Sequence, residues 1–222
     1  MSSVILTCST MREYVDAAQC SMGTNMDVVE VDRIYHVEPA NMKKIVAAAL
    51  AQLPPQVDTV LVGMGFCGGV WDQVVSTRRI VIPRADDCCT ILLHTGDGYN
   101  PNLKEPGHLY IYDRNPEDYS ARSLMSDYSQ ADETFGGLDR DTLFHMWFDN
   151  YHTMDIIDTG LLDVYSEEYV TAAQNCADQI GAGLDYVPGS NRILEKLVSG
   201  RWDEQFLVAE PGHQIRHRDF FE

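Results

Sequence analysis

The amino-acid sequence predicts an α/β fold: a three-layer, doubly wound arrangement around a mainly parallel sheet. Short apolar runs rich in β-branched residues alternate with longer amphipathic segments through the first half of the chain. Proline and glycine stand between these segments, as they commonly do between strands and helices. Regular alternation of strand and helix is typical of a parallel sheet with helices on both faces.

Local patterns predict the elements in order. Eight short apolar runs predict strands at residues 4–7, 28–31, 59–62, 80–82, 109–112, 155–158, 184–187 and 206–209. Helical periodicity and capping residues predict helices at residues 11–20, 42–53, 85–94, 140–152, 167–180 and 192–198. A helix-like segment is also expected directly after Cys67.

The character of the chain changes near residue 95, where turn residues become frequent. We expect a single α/β domain over residues 1–222, with a lid-like excursion at about 95–137 and a tail after 211. The excursion is irregular because the stretch 115–137 is polar and aromatic with few periodic apolar positions. Its aromatic residues could cover the carboxyl edge of the sheet or equally fill the core. They are Tyr99, Tyr119, Tyr128 and Phe135.

Charge and composition narrow the classes of partner. The chain has 34 Asp and Glu against 16 Lys and Arg, a formal net charge of −18. Nucleic acid and anionic membranes are therefore not expected partners, because both require a basic surface. No apolar run reaches the length of a membrane span, and no signal peptide is recognisable at the start. We expect a cytoplasmic protein that acts on a small molecule.

Three of the six cysteines come directly after predicted strands: Cys8, Cys67 and Cys88. In a strand order of 2-1-3-4-5, strand three lies between strands one and four, so these cysteines would meet at the carboxyl edge of the sheet. Three thiolates with one open position suit a catalytic zinc or a [4Fe-4S] cluster. The alternative is that each cysteine is a small buried apolar residue. Core packing is the interpretation for Cys20 and Cys176.

A glycine cluster surrounds Cys67. The pattern Gly63-x-Gly65-x-x-Gly68 matches a dinucleotide-binding fingerprint, with Asp86 or Asp87 about twenty residues later as the ribose-binding acid. It lies in the third strand–helix unit and not the first, so a nucleotide is the less favoured alternative. The favoured interpretation is that glycines such as Gly65, Gly68 and Gly69 let a ligand or cofactor approach the backbone closely.

Two charged residues beside Cys88 are candidate catalytic groups. Arg84 would orient an anionic substrate, and Asp87 would accept a hydrogen bond from a ligand. The alternative is an aspartate at a helix N-terminus with a salt-bridged arginine. His213 and His217 have the spacing of two helical metal ligands, but the basic chain end around them favours a solvated tail.

Three short motifs carry a resemblance to a known family. Residues 65–69 (GFCGG), 83–88 (PRADDC) and 200–203 (GRWD) resemble the signature of domain-of-unknown-function family 1638, found in methanogenic archaea and various bacteria. The resemblance covers about residues 4–211, and the tail beyond is peculiar to this chain. The family pattern carries over to five residues, while Cys89 has no counterpart in it. The five are Cys8, Cys67, Arg84, Asp87 and Cys88.

The resemblance implies an uncharacterised protein, often encoded near corrinoid methyltransferase genes. The first hypothesis is that the chain is an enzyme, or a subunit of one, that binds a metal and acts in one-carbon metabolism. It would be a methyltransferase whose metal site activates a thiol acceptor. The second is a non-catalytic accessory protein that carries a metal or cluster, or handles a corrinoid. No Asp-x-His-x-x-Gly motif is present, so a corrinoid would be reached through a partner protein.

Overall fold

The structure is a computed structural model that describes residues 2–37, 39–129 and 138–222. The chain divides into two compact units, which are treated separately below. Unit 1 comprises Met1–Leu103 and Ser190–Glu222, and unit 2 comprises Lys104–Gly189. The expected single domain with a lid at 95–137 stays a prediction, and its residues Tyr128 and Phe135 lie outside the described side chains.

The described residues contain eight strands and eight α-helices. The strands are β1 (Ser3–Cys8), β2 (Asp27–Val31), β3 (Thr59–Gly63), β4 (Arg79–Pro83), β5 (His108–Ile111), β6 (Thr153–Asp158), β7 (Gly183–Pro188) and β8 (Phe206–Ala209). The helices are α1 (Arg12–Met22), α2 (Pro39–Gln52), α3 (Cys88–Leu93), α4 (Ala121–Ser129), α5 (Arg140–Phe148), α6 (Glu167–Ile180), α7 (Arg192–Ser199) and α8 (Arg218–Phe221).

Unit 1 is built on a five-stranded sheet with the order β2-β1-β3-β4-β8. The first four strands are parallel, and β8 joins β4 as an antiparallel edge strand. Every residue of β3 is buried, as expected of a central strand whose two faces are both covered. The predicted α/β class with a mainly parallel sheet is confirmed, and β3 lies between β1 and β4 as the sequence predicted.

Unit 2 has its own sheet of three parallel strands in the order β5-β6-β7. Apolar residues of β5 and β6 pack with α6, because that helix turns its small and aromatic residues inward. The buried cluster consists of Ile111, Met154, Ile156, Val164, Tyr169, Ala173, Cys176, Ala177 and Ala182. The stretch expected to be irregular also contains regular structure, namely a 3₁₀ turn at Pro116–Tyr119 and α4.

Two helix predictions near the cysteines need correction. The segment after Cys67 is a single 3₁₀ turn, Cys67–Gly69, and not a helix. Left-handed backbone at Gly68 and Gly69, with φ of 69° and 95°, prevents an α-helix from continuing there. The helix expected at 85–94 is shorter and begins at Cys88, because the Asp87 carboxylate accepts the Thr90 backbone N–H as its N-cap.

The chain end is structured, and His213 and His217, which were predicted to lie in a solvated tail, are exposed as expected. Ile215 and Phe220 are fully buried in unit 1. His213 Nε2 lies 3.0 Å from the Asp219 carboxylate, and the His217 ring stacks on Phe221 with centroids 4.3 Å apart. The periodic apolar residues were too few to indicate a helix as short as α8.

Within the described ranges, no helix combines the length and apolar character needed to cross a membrane.

Candidate functional site

The loops that follow β3 and β4 lie side by side at the carboxyl edge of the unit 1 sheet. The Phe66 backbone N–H donates to Ala85 O at 2.8 Å, and the Cys67 N–H donates to Asp86 O at 2.7 Å. These bonds continue the contact between the two parallel strands past their ends. Gly65 makes the approach possible, because a Cβ atom there would lie 2.7 Å from Asp87 Cα.

The two loops bring Cys67 and Cys88 together. Interaction with the Cys67 side chain is the largest cause of a strongly raised pKa for Cys88. Burial and the proximity of Cys67 and Asp87 raise that pKa further, while the Gly65 backbone N–H lowers it. The Cys88 thiol is therefore protonated at neutral pH.

The partner thiol occupies an unusual backbone conformation. Cys67 has a φ of 46°, in the left-handed region that residues with a side chain seldom adopt. Its side chain is half-buried, whereas Cys88 is 2% exposed. Strained backbone of this kind costs about 1–3 kcal/mol and is concentrated at functional sites. Cys67 is thus the reachable member of the pair.

Cys8 ends β1 and is fully buried. The Thr10 hydroxyl donates to its sulfur at 3.3 Å. Across the part of the chain that the structure describes, no group of three His, Cys, Asp or Glu side chains is arranged to hold a metal ion. The structure thus pairs Cys67 with Cys88, and the metal site with Cys8 as third ligand stays a prediction.

The Arg84 side chain makes its contacts with other residues of the same chain. Its guanidinium donates to the backbone oxygens of Asp219 at 2.9 Å and Glu204 at 3.3 Å, and lies 3.9 Å from the centre of the Tyr99 ring. It also borders a cavity of about 380 Å³ whose other lining residues come from the β8 and α8 regions. These contacts fasten the chain end to the β4 loop, and a catalytic role for Arg84 stays a prediction.

The acidic corner before Cys88 organises the start of α3. Asp87 Oδ1 accepts the Thr90 backbone N–H at 3.1 Å, and Asp86 Oδ1 accepts the Thr90 hydroxyl at 2.6 Å. Both aspartates therefore fix the backbone that presents Cys88. Proton transfer or ligand binding by Asp87 is a further role that stays a prediction.

The glycine pattern has local packing roles. A Cβ at Gly63 would lie 2.7 Å from the Thr7 hydroxyl, and one at Gly65 would meet the Asp87 backbone. Gly68 and Gly69 provide the left-handed turn. A dinucleotide fingerprint requires a helix directly after it, and only a 3₁₀ turn follows here. Cofactor binding through Gly65, Gly68 and Gly69 stays a prediction.

An aromatic cluster beside Cys67 was missed in the sequence. The Phe66 ring contacts Phe220 with centroids 4.8 Å apart, and Phe221 and His217 at 5.5 Å each. The chain end therefore packs on the residue next to Cys67. The signal was available, since Phe220-Phe221 is an apolar pair at an otherwise charged terminus.

The two cysteines assigned to core packing differ. Cys176 is 1% exposed, its thiol donates to Pro116 O at 3.4 Å, and burial raises its pKa to about 11. Cys20 is exposed, which corrects the prediction. The buried face of α1 carries Tyr14, Val15 and Ala18, and Cys20 lies off that face.

Comparison with known proteins yields one match. A family model described as "Protein of unknown function (DUF1638)" matches residues 31–198. Neither the curated proteins nor the solved structures include a match to the chain.

Proposed function

This chain belongs to the DUF1638 family of proteins of unknown function, and we propose that it uses Cys67 and Cys88 as a redox-active dithiol. The observation that carries the proposal is that backbone hydrogen bonds join the loops bearing Cys67 and Cys88, whose side chains interact. Two thiols on loops that contact each other, one half-buried and one buried, have the arrangement of an attacking and a resolving cysteine.

The reaction is a two-step exchange with a small disulfide, R–S–S–R. The Cys67 thiol gives its proton to solvent, and its thiolate attacks one sulfur of the disulfide, which forms a mixed disulfide and releases RS⁻. Cys88 then gives its proton to the released RS⁻ and attacks the Cys67 sulfur, which expels the second RS⁻, and this thiolate takes a proton from solvent. The protein loses two electrons, the small disulfide gains them, and two R–SH molecules result.

The environment supports these separate roles. Cys67 is the less buried residue of the two, so it meets the substrate first. Cys88 is buried and its pKa is raised, so it stays protonated until an adjacent sulfur becomes electrophilic. The bond between Cys67 N–H and Asp86 O keeps the two loops together during both steps.

Zinc, a [4Fe-4S] cluster and corrinoid-linked methyl transfer stay predictions from the sequence. A zinc or cluster site needs at least three protein ligands in most cases. The described residues include no group of three His, Cys, Asp or Glu side chains arranged to hold a metal ion, and no step is assigned to a metal.

Trypsin cleaves the chain so that Cys67 and Cys88 fall in different peptides, and the test uses this difference. Residues 45–78 contain Cys67 as their single cysteine, and residues 85–104 contain Cys88 and Cys89. Reduced protein is treated with glutathione disulfide, alkylated and digested. We expect a disulfide between these two peptides, with two thiols lost per chain. Cys88→Ser should instead accumulate one glutathione on Cys67.

Matched variants assign the reaction to these residues. Cys20→Ser removes an exposed thiol and should leave the cross-linked product unchanged, and Cys89→Ser should do the same. The proposal is wrong if Cys67→Ser loses thiols as fast as the wild type, or if the cross-link survives in Cys88→Ser. Zinc or iron content lost equally in Cys8→Ser, Cys67→Ser and Cys88→Ser would favour the metal site instead.

A further inference from the structure

Unit 2 presents an aromatic side chain that is exposed and yet fixed. Tyr165 is 63% exposed. One face of its ring stacks on Tyr186, with centroids 4.9 Å apart and planes 16° from parallel. Its hydroxyl donates to Asp158 Oδ2 at 2.6 Å, and this bond raises the pKa of Tyr165. The Tyr165 side chain is therefore already ordered in the free protein, so binding a ligand would cost little further conformational entropy.

The supports of Tyr165 are themselves fixed. Asp158 Oδ1 accepts the Gly160 backbone N–H at 2.9 Å, so both carboxylate oxygens are engaged. The Tyr186 hydroxyl donates to Val164 O at 3.2 Å. Asp158 ends β6, Tyr186 lies in β7, and Tyr165 lies in the loop between β6 and α6. This is the carboxyl edge of a parallel sheet, where α/β proteins bind ligands.

The surrounding charge selects the class of ligand. Unit 2 has 17 Asp and Glu against 4 Lys and Arg. The loop that carries Tyr165 also contributes Leu162, Asp163 and Ser166 to a cavity of about 1010 Å³. Its charged lining consists of Arg114, Glu117, Asp163, Glu167 and Glu168. Such a field repels anions and steers cations towards this edge.

We propose that the outward face of Tyr165 binds an arginine side chain in a basic segment of a partner protein. A planar guanidinium stacks on an aromatic face better than an ammonium group does. The chain itself contains this contact, because the Arg84 guanidinium lies 3.9 Å from the centre of the Tyr99 ring. The wide acidic cavity suits the neighbouring basic residues of a peptide segment. The proposal is independent of the Cys67–Cys88 chemistry.

The test measures binding of a fluorescent hexapeptide of alternating arginine and glycine, with both termini blocked, to the full chain. Matched peptides carry lysine or uncharged citrulline in place of arginine. We expect the arginine peptide to bind most tightly, the lysine peptide more weakly, and the citrulline peptide not at all. Tyr165→Ala should weaken binding of the arginine peptide about 5-fold, as an exposed cation–π contact implies. Binding should also weaken as salt is raised.

Control variants distinguish the contact between arginine and the Tyr165 ring from nonspecific attraction between the basic peptide and the acidic protein. Val75→Ala removes a 57% exposed apolar side chain of unit 1 and should leave the affinity unchanged. Tyr165→Phe keeps the aromatic face but loses the bond to Asp158, so its affinity should fall between wild type and Tyr165→Ala. The proposal is overturned by no arginine-peptide binding at millimolar concentration, by equal affinity in Tyr165→Ala, or by equal binding of the citrulline peptide. Arginine amide binding as tightly as the peptide would overturn the assignment to a protein segment.

Discussion

Replacing Gly65 by alanine probes the contact between the two cysteine-bearing loops. The added Cβ would lie 2.7 Å from Asp87 Cα and 2.8 Å from the Asp87 backbone N and C atoms. Ordinary contact begins near 3.4 Å, so the backbone must shift by roughly 0.7 Å to relieve the overlap. The atoms in the way belong to a backbone and cannot rotate aside.

The energetic cost follows from what the shift disturbs. The bonds Phe66 N–H to Ala85 O at 2.8 Å and Cys67 N–H to Asp86 O at 2.7 Å join the same loops. Overpacking that moves backbone usually costs about 1–3 kcal/mol of unfolding free energy. The Cys67–Cys88 cross-link should form several-fold more slowly in Gly65→Ala, because the loops are pushed apart.

Urea unfolding followed by circular dichroism measures the change in unfolding free energy, and the glutathione disulfide assay measures the cross-link. Gly96→Ala is the matched control, because a Cβ there meets no atom within 4 Å. Both variants lose the same backbone freedom in the unfolded chain, so their difference isolates the steric contact. Equal unfolding free energies for Gly65→Ala and Gly96→Ala would refute the close approach of the two loops.

Three further substitutions test other parts of the structure. His108→Ala should lower the unfolding free energy by about 3 kcal/mol in thermal or urea unfolding, because it leaves the 1% exposed Asp155 carboxylate without its 2.6 Å bond; a loss below 0.5 kcal/mol would contradict this. Lys196→Met should make the unfolding free energy less dependent on pH in acid, because the Lys196 bond to Asp97 is the main cause that lowers the pKa of Asp97 to about 2. The wild type loses the corresponding stabilisation as pH falls from 4 to 2, and the variant should lose less. Urea unfolding at each pH measures the difference. Phe220→Ala should lower the unfolding free energy by about 3–5 kcal/mol, because the ring is fully buried; an unchanged urea midpoint would contradict this packing.

The strands were predictable because each is a short apolar run between turn residues. The sequence prediction overlaps every strand from β1 to β8. Helix ends were less predictable where capping decided them: α3 begins only at Cys88 because Asp87 and Thr90 form the cap. The sequence also did not predict which strands belong to the same sheet. The predicted order fits β2-β1-β3-β4, but the fifth strand of that sheet is β8, since pairing depends on contacts distant in sequence.

The candidate site was predictable in position but not in composition. Strand order placed Cys67 and Cys88 on neighbouring loops, because the carboxyl ends of adjacent parallel strands meet. No sequence pattern gives the φ of 46° at Cys67 or the interaction with Cys67 that raises the pKa of Cys88. Likewise, the role of Arg84 depends on the backbone of residues 204 and 219, more than a hundred positions away.

The extent of the family match adds to the argument for a two-thiol site. The match covers residues 31–198, which include Cys67 and Cys88 but neither Cys8 nor α8. Both cysteines of the proposed dithiol thus belong to the matched region, whereas the third predicted metal ligand and the aromatic chain end that contacts Phe66 lie outside it. The loops that join the two thiols, through Gly65 and the bond from Cys67 to Asp86, are also inside it. The chemistry proposed here therefore needs only residues of the matched region, and the chain end contributes the packing around Phe66.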